Sequence, residues 1–215
     1  MRIAVIGASG LTGQQVLRAA KLRGMSTHAV VRDAARVGTS ADSIIEVSDF
    51  GSAPELLRAV AGTDSIIVTM GINRKTRSPW APLVSPPDIC SRTMAALVEA
   101  MRHPDAPERV IYMSSFGAGD QWNRLPFWIR TLIASSKIRI GYRDHTAAEA
   151  LLRASGLDWT IVRPTALSNE TGQDWSEAGP ETSILRKIPR TAVAAALLDL
   201  LEGRAQHRTV SITGA

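Results

Sequence analysis

Ile3-Ala4-Val5-Ile6-Gly7-Ala8-Ser9-Gly10-Leu11-Thr12-Gly13 opens the chain with an apolar run, a glycine-rich turn and the start of a helix-like segment. Strand, glycine turn and helix start, in that order, are what a nucleotide pyrophosphate needs. Glycine lets the backbone turn tightly and approach a ligand, while N–H groups at the helix start point at the phosphates. The spacing is GxxGxxG, one residue off the usual GxGxxG fingerprint. A tight turn with no ligand would use glycines in the same way, so the rest of the chain has to carry the reading.

Working outward, apolar runs of strand length alternate with helix-period segments, the pattern of a parallel sheet covered on both faces. Strands are expected at 3–6, 28–31, 43–47, 65–69, 109–113, 160–163 and 209–212. Helices are expected at 12–22, 53–60, 87–102, 144–154 and 190–201, with Gly24, Gly62, Gly156 and Gly203 as stop signals beyond four of them. The expected fold is α/β, a Rossmann-like doubly wound parallel sheet in three layers, as a single domain over 1–215. Three connections, at about 72–86, 116–141 and 168–182, should lie on the substrate side, since such sheets bind ligands at the carboxyl ends of their strands.

The 215 residues are 45% hydrophobic and 21% charged, a globular composition. No targeting signal or membrane-length apolar segment is visible, and the single cysteine, Cys90, excludes an intrachain disulfide framework. A cytoplasmic protein without a metal is expected. The net charge of +5 admits nucleic acid, a membrane surface or small anions. Its cations gather at Arg32 with Arg36, at Arg74-Lys75-Arg77 and between Arg124 and Arg143, none a compact nucleic-acid tail.

The second expected strand ends in Val31-Arg32-Asp33-Ala34-Ala35-Arg36. An acidic residue there would bond the ribose hydroxyls of NAD, whereas arginine grips the 2'-phosphate of NADP. Arg32 therefore argues for NADP(H) over NAD(H), and Arg36 would close on the same phosphate if residues 33–36 form a turn. Asp33 could face the ribose and soften that preference. Asp49 suits an adenine amino group or a helix cap equally well. Ser114 and Ser115 leave the fifth strand as hydroxyls that could serve a nicotinamide amide, a substrate carbonyl or only the turn itself. His145 and Glu149 share a face of the following helix.

These stretches together, GASGLTG, VVRDAARV, the Asp49 site, MSSFGAGD and DHTAAEALLRASGLDWTIVRP, resemble an atypical short-chain dehydrogenase/reductase of the NAD(P)-binding, NmrA-like type, most closely the biliverdin reductase B or flavin reductase group. The resemblance implies that Gly7, Ser9, Gly10, Leu11, Thr12 and Gly13 cradle the pyrophosphate and that Arg32 and Arg36 bind the 2'-phosphate. It further implies that Asp49 and Phe50 flank adenine, that Met70 and Gly71 line the ribose side, and that Ser114, Ser115, Pro164 and Thr165 surround the nicotinamide. Ser115 matches the active-site serine of the flavin reductase group. Tyr142 is the tyrosine acid candidate, but Thr146 stands where short-chain dehydrogenases place a lysine, and without that cation the phenol stays near a pKa of about 10.

The implied activity is an NADPH-dependent reductase passing hydride to a planar acceptor such as a flavin, quinone or conjugated carbonyl. The alternatives are an NADP(H)-binding sensor with weak catalysis and a non-redox isomerase or cyclase. The segment 121–142 holds Trp122, Phe127, Trp128 and Tyr142 among four cations, Arg124, Arg130, Lys137 and Arg139, with Arg143 next to it, and no acid. It could close over a flat, anionic ligand, lie on an acidic membrane or a partner, or be a helix with core aromatics and solvated arginines; of the functional readings a substrate lid is preferred, with Trp122, Trp128 and His145 as substrate contacts and Trp80 and Arg74 to Arg77 as neighbours. A monomer or weak dimer, without nucleic acid, is expected.

Overall fold

The computed structural model describes all residues except 38–40, 77 and 204–205, so the expected cation at Arg77 lies outside the described residues. Ten strands and six α-helices follow in chain order: β1 (Arg2–Ile6), α1 (Leu11–Leu22), β2 (Ser26–Val31), β3 (Ser43–Glu46), α2 (Ala53–Val60), β4 (Ser65–Val68), α3 (Ile89–Ala100), β5 (Arg109–Met113), α4 (Phe127–Ala134), α5 (Ile138–Arg153), β6 (Asp158–Pro164), β7 (Ala166–Ser168), β8 (Trp175–Glu177), β9 (Lys187–Pro189), α6 (Arg190–Glu202) and β10 (Arg208–Gly214).

Eight strands form one sheet in the order β3-β2-β1-β4-β5-β6-β10-β8, parallel except for the antiparallel edge β8, while β7 and β9 pair separately. The chain order reverses between β1 and β4, the switch point where open α/β sheets bind ligands. Ile3 and Val5 send their side chains to a core under α1 and α6, and Ala4 and Ile6 to a second core under α2, α3 and α5. The alternation of two buried faces explains why the strands read as unbroken apolar runs.

Helix ends follow the expected chemistry in part. Gly24, Gly62 and Gly156 take φ of +69°, +70° and +76°, the left-handed stop that glycine permits, whereas Gly203 closes α6 at φ −70°. The expected start at Asp144 is corrected: α5 begins at Ile138 and Asp144 lies inside it. Its buried carboxylate instead accepts from the Cys90 and Ser91 N–H groups, each at 2.8 Å, and from Ser91 Oγ at 2.6 Å. A helix start that lacks its own side-chain cap is thus capped from a neighbouring helix.

The segment 116–141 is also more ordered than an expected loop. It contains a 3-10 turn at Gly119–Arg124, α4 and the first turn of α5, and it packs a small core of Leu125, Ile129 and Ile133 with Trp122 and Tyr142 against it. Phe127 and Trp128 remain 77% and 58% exposed, so only half of its aromatics are core. Trp80 reaches this segment, donating from Nε1 to the Ser135 carbonyl at 3.2 Å.

Candidate functional site

At the end of β1 the chain turns back at Gly7, whose φ of +84° belongs to glycine. The helix start is pressed against this turn. A Cβ on Gly13 would stand 2.4 Å from the Gly7 carbonyl oxygen and 2.8 Å from Ala8 Cα, so position 13 has no room for a side chain. Gly10 takes the N-cap position of α1 without a capping side chain, and the first turn carries no acidic residue. Nothing from the helix itself neutralises its positive end, which leaves the N–H groups to an external anion.

A cleft of about 800 Å³ opens over this turn, lined by Gly7, Ser9, Gly10, Leu11, Thr12, Phe50, Met70 and Gly71 and by both Arg32 and Arg36. Residues 34–36 form a 3-10 turn. The Asp33 carboxylate accepts from Ala35 N at 3.0 Å and Glu46 accepts from Ala34 N at 2.7 Å, and these two bonds shape the turn that brings Arg36 beside Arg32. Asp33 is therefore engaged with its own turn. Two arginines, five donors each and always charged, suit a phosphate monoester better than a ribose diol.

Asp49 sits beside this cleft and does not line it. It accepts from Gly51 N at 2.8 Å and pairs with Arg92 at 2.6 Å. The cap of α2 is Ser52, and the Glu55 carboxylate accepts from Ser48 Oγ at 2.9 Å and from Ser48 N at 2.7 Å; these bonds from Ser48, the hydroxyl's foremost, hold the Glu55 carboxyl below its ordinary value.

The carboxyl end of β5 forms a second group of candidates. The Tyr142 phenol donates to the carbonyl of Phe116, the residue next to Ser115, at 3.0 Å. Burial raises the Tyr142 pKa, with Ser115 offsetting part of the rise. Thr146, in the lysine position, donates to the Tyr142 carbonyl at 2.8 Å and accepts from Gly119 N at 3.0 Å, so it ties helix to loop and brings no charge. Ser114 turns inward and donates to Glu149 at 2.6 Å. Pro164 ends β6 and Thr165 follows it, both buried, and the Thr165 hydroxyl meets that of Thr213 at 3.3 Å.

The three candidate substrate contacts do not converge. Trp122 packs edge-on to Tyr142 with ring centroids 5.8 Å apart and lines a groove of about 580 Å³ along α5. Trp128 lines a different cavity, of about 650 Å³, with Phe116 and Arg124. His145 meets β5, a central strand, its Nδ1 2.6 Å from the Tyr112 hydroxyl, and burial lowers its pKa.

One constellation escaped the sequence reading. Arg163 of β6 and Glu149 of α5, 1% and 0% exposed, pair through Arg163 Nε at 2.9 Å, with Ser114, Asp120 and Arg153 joining them. The available signal was an arginine inside the apolar strand run Thr160-Ile161-Val162-Arg163-Pro164, because a charge there must find a buried partner. A second omission is Arg190, which lines the glycine-turn cleft from the start of α6.

This geometry agrees with what known proteins show. The sequence pattern of the NAD(P)H-binding family matches residues 7–204, and the chain belongs to that family. Among relatives, an uncharacterized sugar epimerase, YhfK of Bacillus subtilis, is 28% identical over 177 residues, 80% of this chain and 75% of that protein. ChuY, an anaerobilin reductase from Escherichia coli O157:H7, superposes with a TM-score of 0.76 at 22% identity, covering 99% of this chain and 97% of that one. A short-chain dehydrogenase/reductase from Veillonella parvula in complex with NADP gives 0.75 at 22% identity, covering 99% and 94%. The fold is thus the Rossmann-like fold of this NAD(P)H-binding family, and no helix among the described residues is long and apolar enough to cross a membrane.

Proposed function

We propose that this protein is an NADPH-dependent oxidoreductase that reduces a small planar acceptor. The observation that carries the reading is the pairing of Arg32 and Arg36 over the same cleft as the uncapped glycine turn, with Asp33 engaged elsewhere. The close Gly13–Gly7 packing and the acid-free helix start fit a dinucleotide diphosphate. When bound, NADPH supplies a hydride.

The chain's own residues then have positional roles. The α1 N-terminus holds the diphosphate, Arg32 and Arg36 hold the 2'-phosphate, and Met70 and Gly71 border the ribose. Ser115 is the polar group assigned to the reacting end. Tyr142 stays protonated at neutral pH and spends its hydroxyl hydrogen on a hydrogen bond to the Phe116 carbonyl, so in this reading solvent delivers the proton that accompanies hydride transfer. Such chemistry suits acceptors whose reduced form needs no strong protein acid, and it argues against ordinary alcohol dehydrogenation.

The test is NADPH oxidation followed by absorbance with flavin, quinone and conjugated carbonyl acceptors. Turnover with NADPH above that with NADH, lost in Ser115→Ala, is expected. NADPH binding without oxidation of any acceptor would contradict a reductase. That outcome would favour the non-redox reading that the name of the Bacillus relative suggests, or an NADP(H) sensor.

A further inference from the structure

We propose that a second cleft, continuous with the first, binds a carboxylate or phosphate carried by the acceptor, held by Arg74 and Lys75 on one wall and Lys187 and Arg190 on the other. This inference rests on the reductase reading and adds the charge class of its substrate.

The second cleft measures about 930 Å³, and Leu11, Arg74 and Arg190 line both clefts, so the two form one trough past the start of α1. Its walls come from the segment after β4 and from the β7, β9 and α6 region. Of its charged lining residues four are cations, and Glu170 is the single carboxylate among the described residues. Charges of one sign concentrated in a cleft attract an oppositely charged ligand.

The arginines are built for the task in different ways. Arg190 Nη1 is fixed by the Ser168 carbonyl at 3.0 Å and by Asn169 Oδ1 at 2.6 Å, so little rotamer freedom remains to be lost on binding. Arg74 carries a buried Nε with no hydrogen-bond partner among the described residues, a donor whose desolvation is uncompensated until an acceptor arrives. Lys187 is held by Glu170 at 3.3 Å, but both side chains are about two-thirds exposed, and a pair of that kind is weak enough to be exchanged for an incoming anion.

The cofactor's diphosphate has the same chemistry and is the competing source of the anion. The lysines decide between them. Lys75 and Lys187 line only the second cleft and not the one over the glycine turn, which places their charge with a second ligand.

Riboflavin and FMN share one ring system and differ by a phosphate, so they test the site directly. Each is titrated by fluorescence quenching into protein saturated with NADP⁺. FMN should bind at least about tenfold more tightly at low salt, an advantage that shrinks as salt screens the cleft. The Lys75→Met/Lys187→Met double variant should bring FMN close to riboflavin while leaving riboflavin and NADP⁺ affinities unchanged. Equal affinity of the two flavins, or no binding of either, overturns the proposal. Loss of NADP⁺ affinity in the double variant also overturns it, because the lysines would then serve the cofactor. If FMN is favoured yet NADPH is not oxidised, the anion site stands and the reductase reading falls.

Discussion

Arg163 Nε lies 2.9 Å from Glu149 Oε1, and the two side chains, from β6 and α5, are 1% and 0% exposed. Burial alone would lower the guanidinium pKa, but Glu149 and Asp120 outweigh that effect and hold it above the ordinary value. Gly119, at φ +59°, passes so close that a Cβ there would meet Arg163 Nη2 at 2.6 Å and Glu149 Oε2 at 2.8 Å. The pair therefore fixes the course of the chain from Ser114 to Asp120, just ahead of the segment expected to act as a lid.

Breaking that pair should be costly. Arg163→Met leaves the buried Glu149 carboxyl with the one-third-exposed Arg153 as its remaining cation, and destabilisation of up to about 3–5 kcal/mol is expected in urea unfolding. The Arg163→Met/Glu149→Leu double variant should recover part of the loss. Single-variant stability equal to wild type would contradict the structural role.

Gly13→Ala tests the close packing of the cofactor turn. With Gly7 O only 2.4 Å from the new Cβ, either the turn or the helix must shift. Overpacking of this kind costs about 1–3 kcal/mol. Dinucleotide affinity should fall at least about tenfold as the helix start moves away from the ligand, equivalent to roughly 1.4 kcal/mol. Calorimetry and thermal unfolding on the same sample separate the two effects.

Stability should depend on pH in opposite senses at the two ends of the scale. His145 has its pKa lowered by burial, with Asp144 and Glu149 opposing. Below its ordinary value of 6.5 the unfolded chain binds the extra proton first, so this contribution is present above that pH and is lost as pH falls through the folded value. Tyr142 and Tyr112 are raised above 10.0, chiefly by burial, so their contribution is full below that pH and is lost as pH rises through the folded values. Unfolding curves against pH should flatten on the acid side in His145→Gln and on the alkaline side in Tyr142→Phe. Unchanged limbs in both variants would contradict these assignments.

The core of the fold was legible because it rests on local, repeated signals. Two buried sheet faces give continuous apolar runs such as Ser65–Val68, and glycine at Gly24 or Gly156 marks a helix stop by conformation alone. The strand, glycine turn and helix start were legible for the same reason, since residues 3–13 carry all three. What stayed hidden depends on contacts between distant segments. Asp144 read as the first residue of its own helix, whereas it lies inside that helix and caps α3. Arg163 found Glu149 only through the packing of α5 on the sheet. Trp122 and Trp128, six positions apart, line separate cavities because the 3-10 turn and α4 direct them to different sides. Arg190 joins the cleft over the glycine turn from the opposite end of the chain, and no spacing rule in the sequence links the two.

The central claim, that Arg32 and Arg36 select NADPH at the glycine turn, is tested most directly by calorimetric titration of wild type and Arg32→Ala with NADPH and NADH. A charge-assisted hydrogen bond to phosphate is worth about 1.5–3 kcal/mol. The account predicts NADPH binding tighter than NADH by at least about tenfold, with the gap closing in the variant while NADH affinity stays unchanged. Equal affinity of wild type for the two cofactors, or a variant that loses both alike, would contradict it.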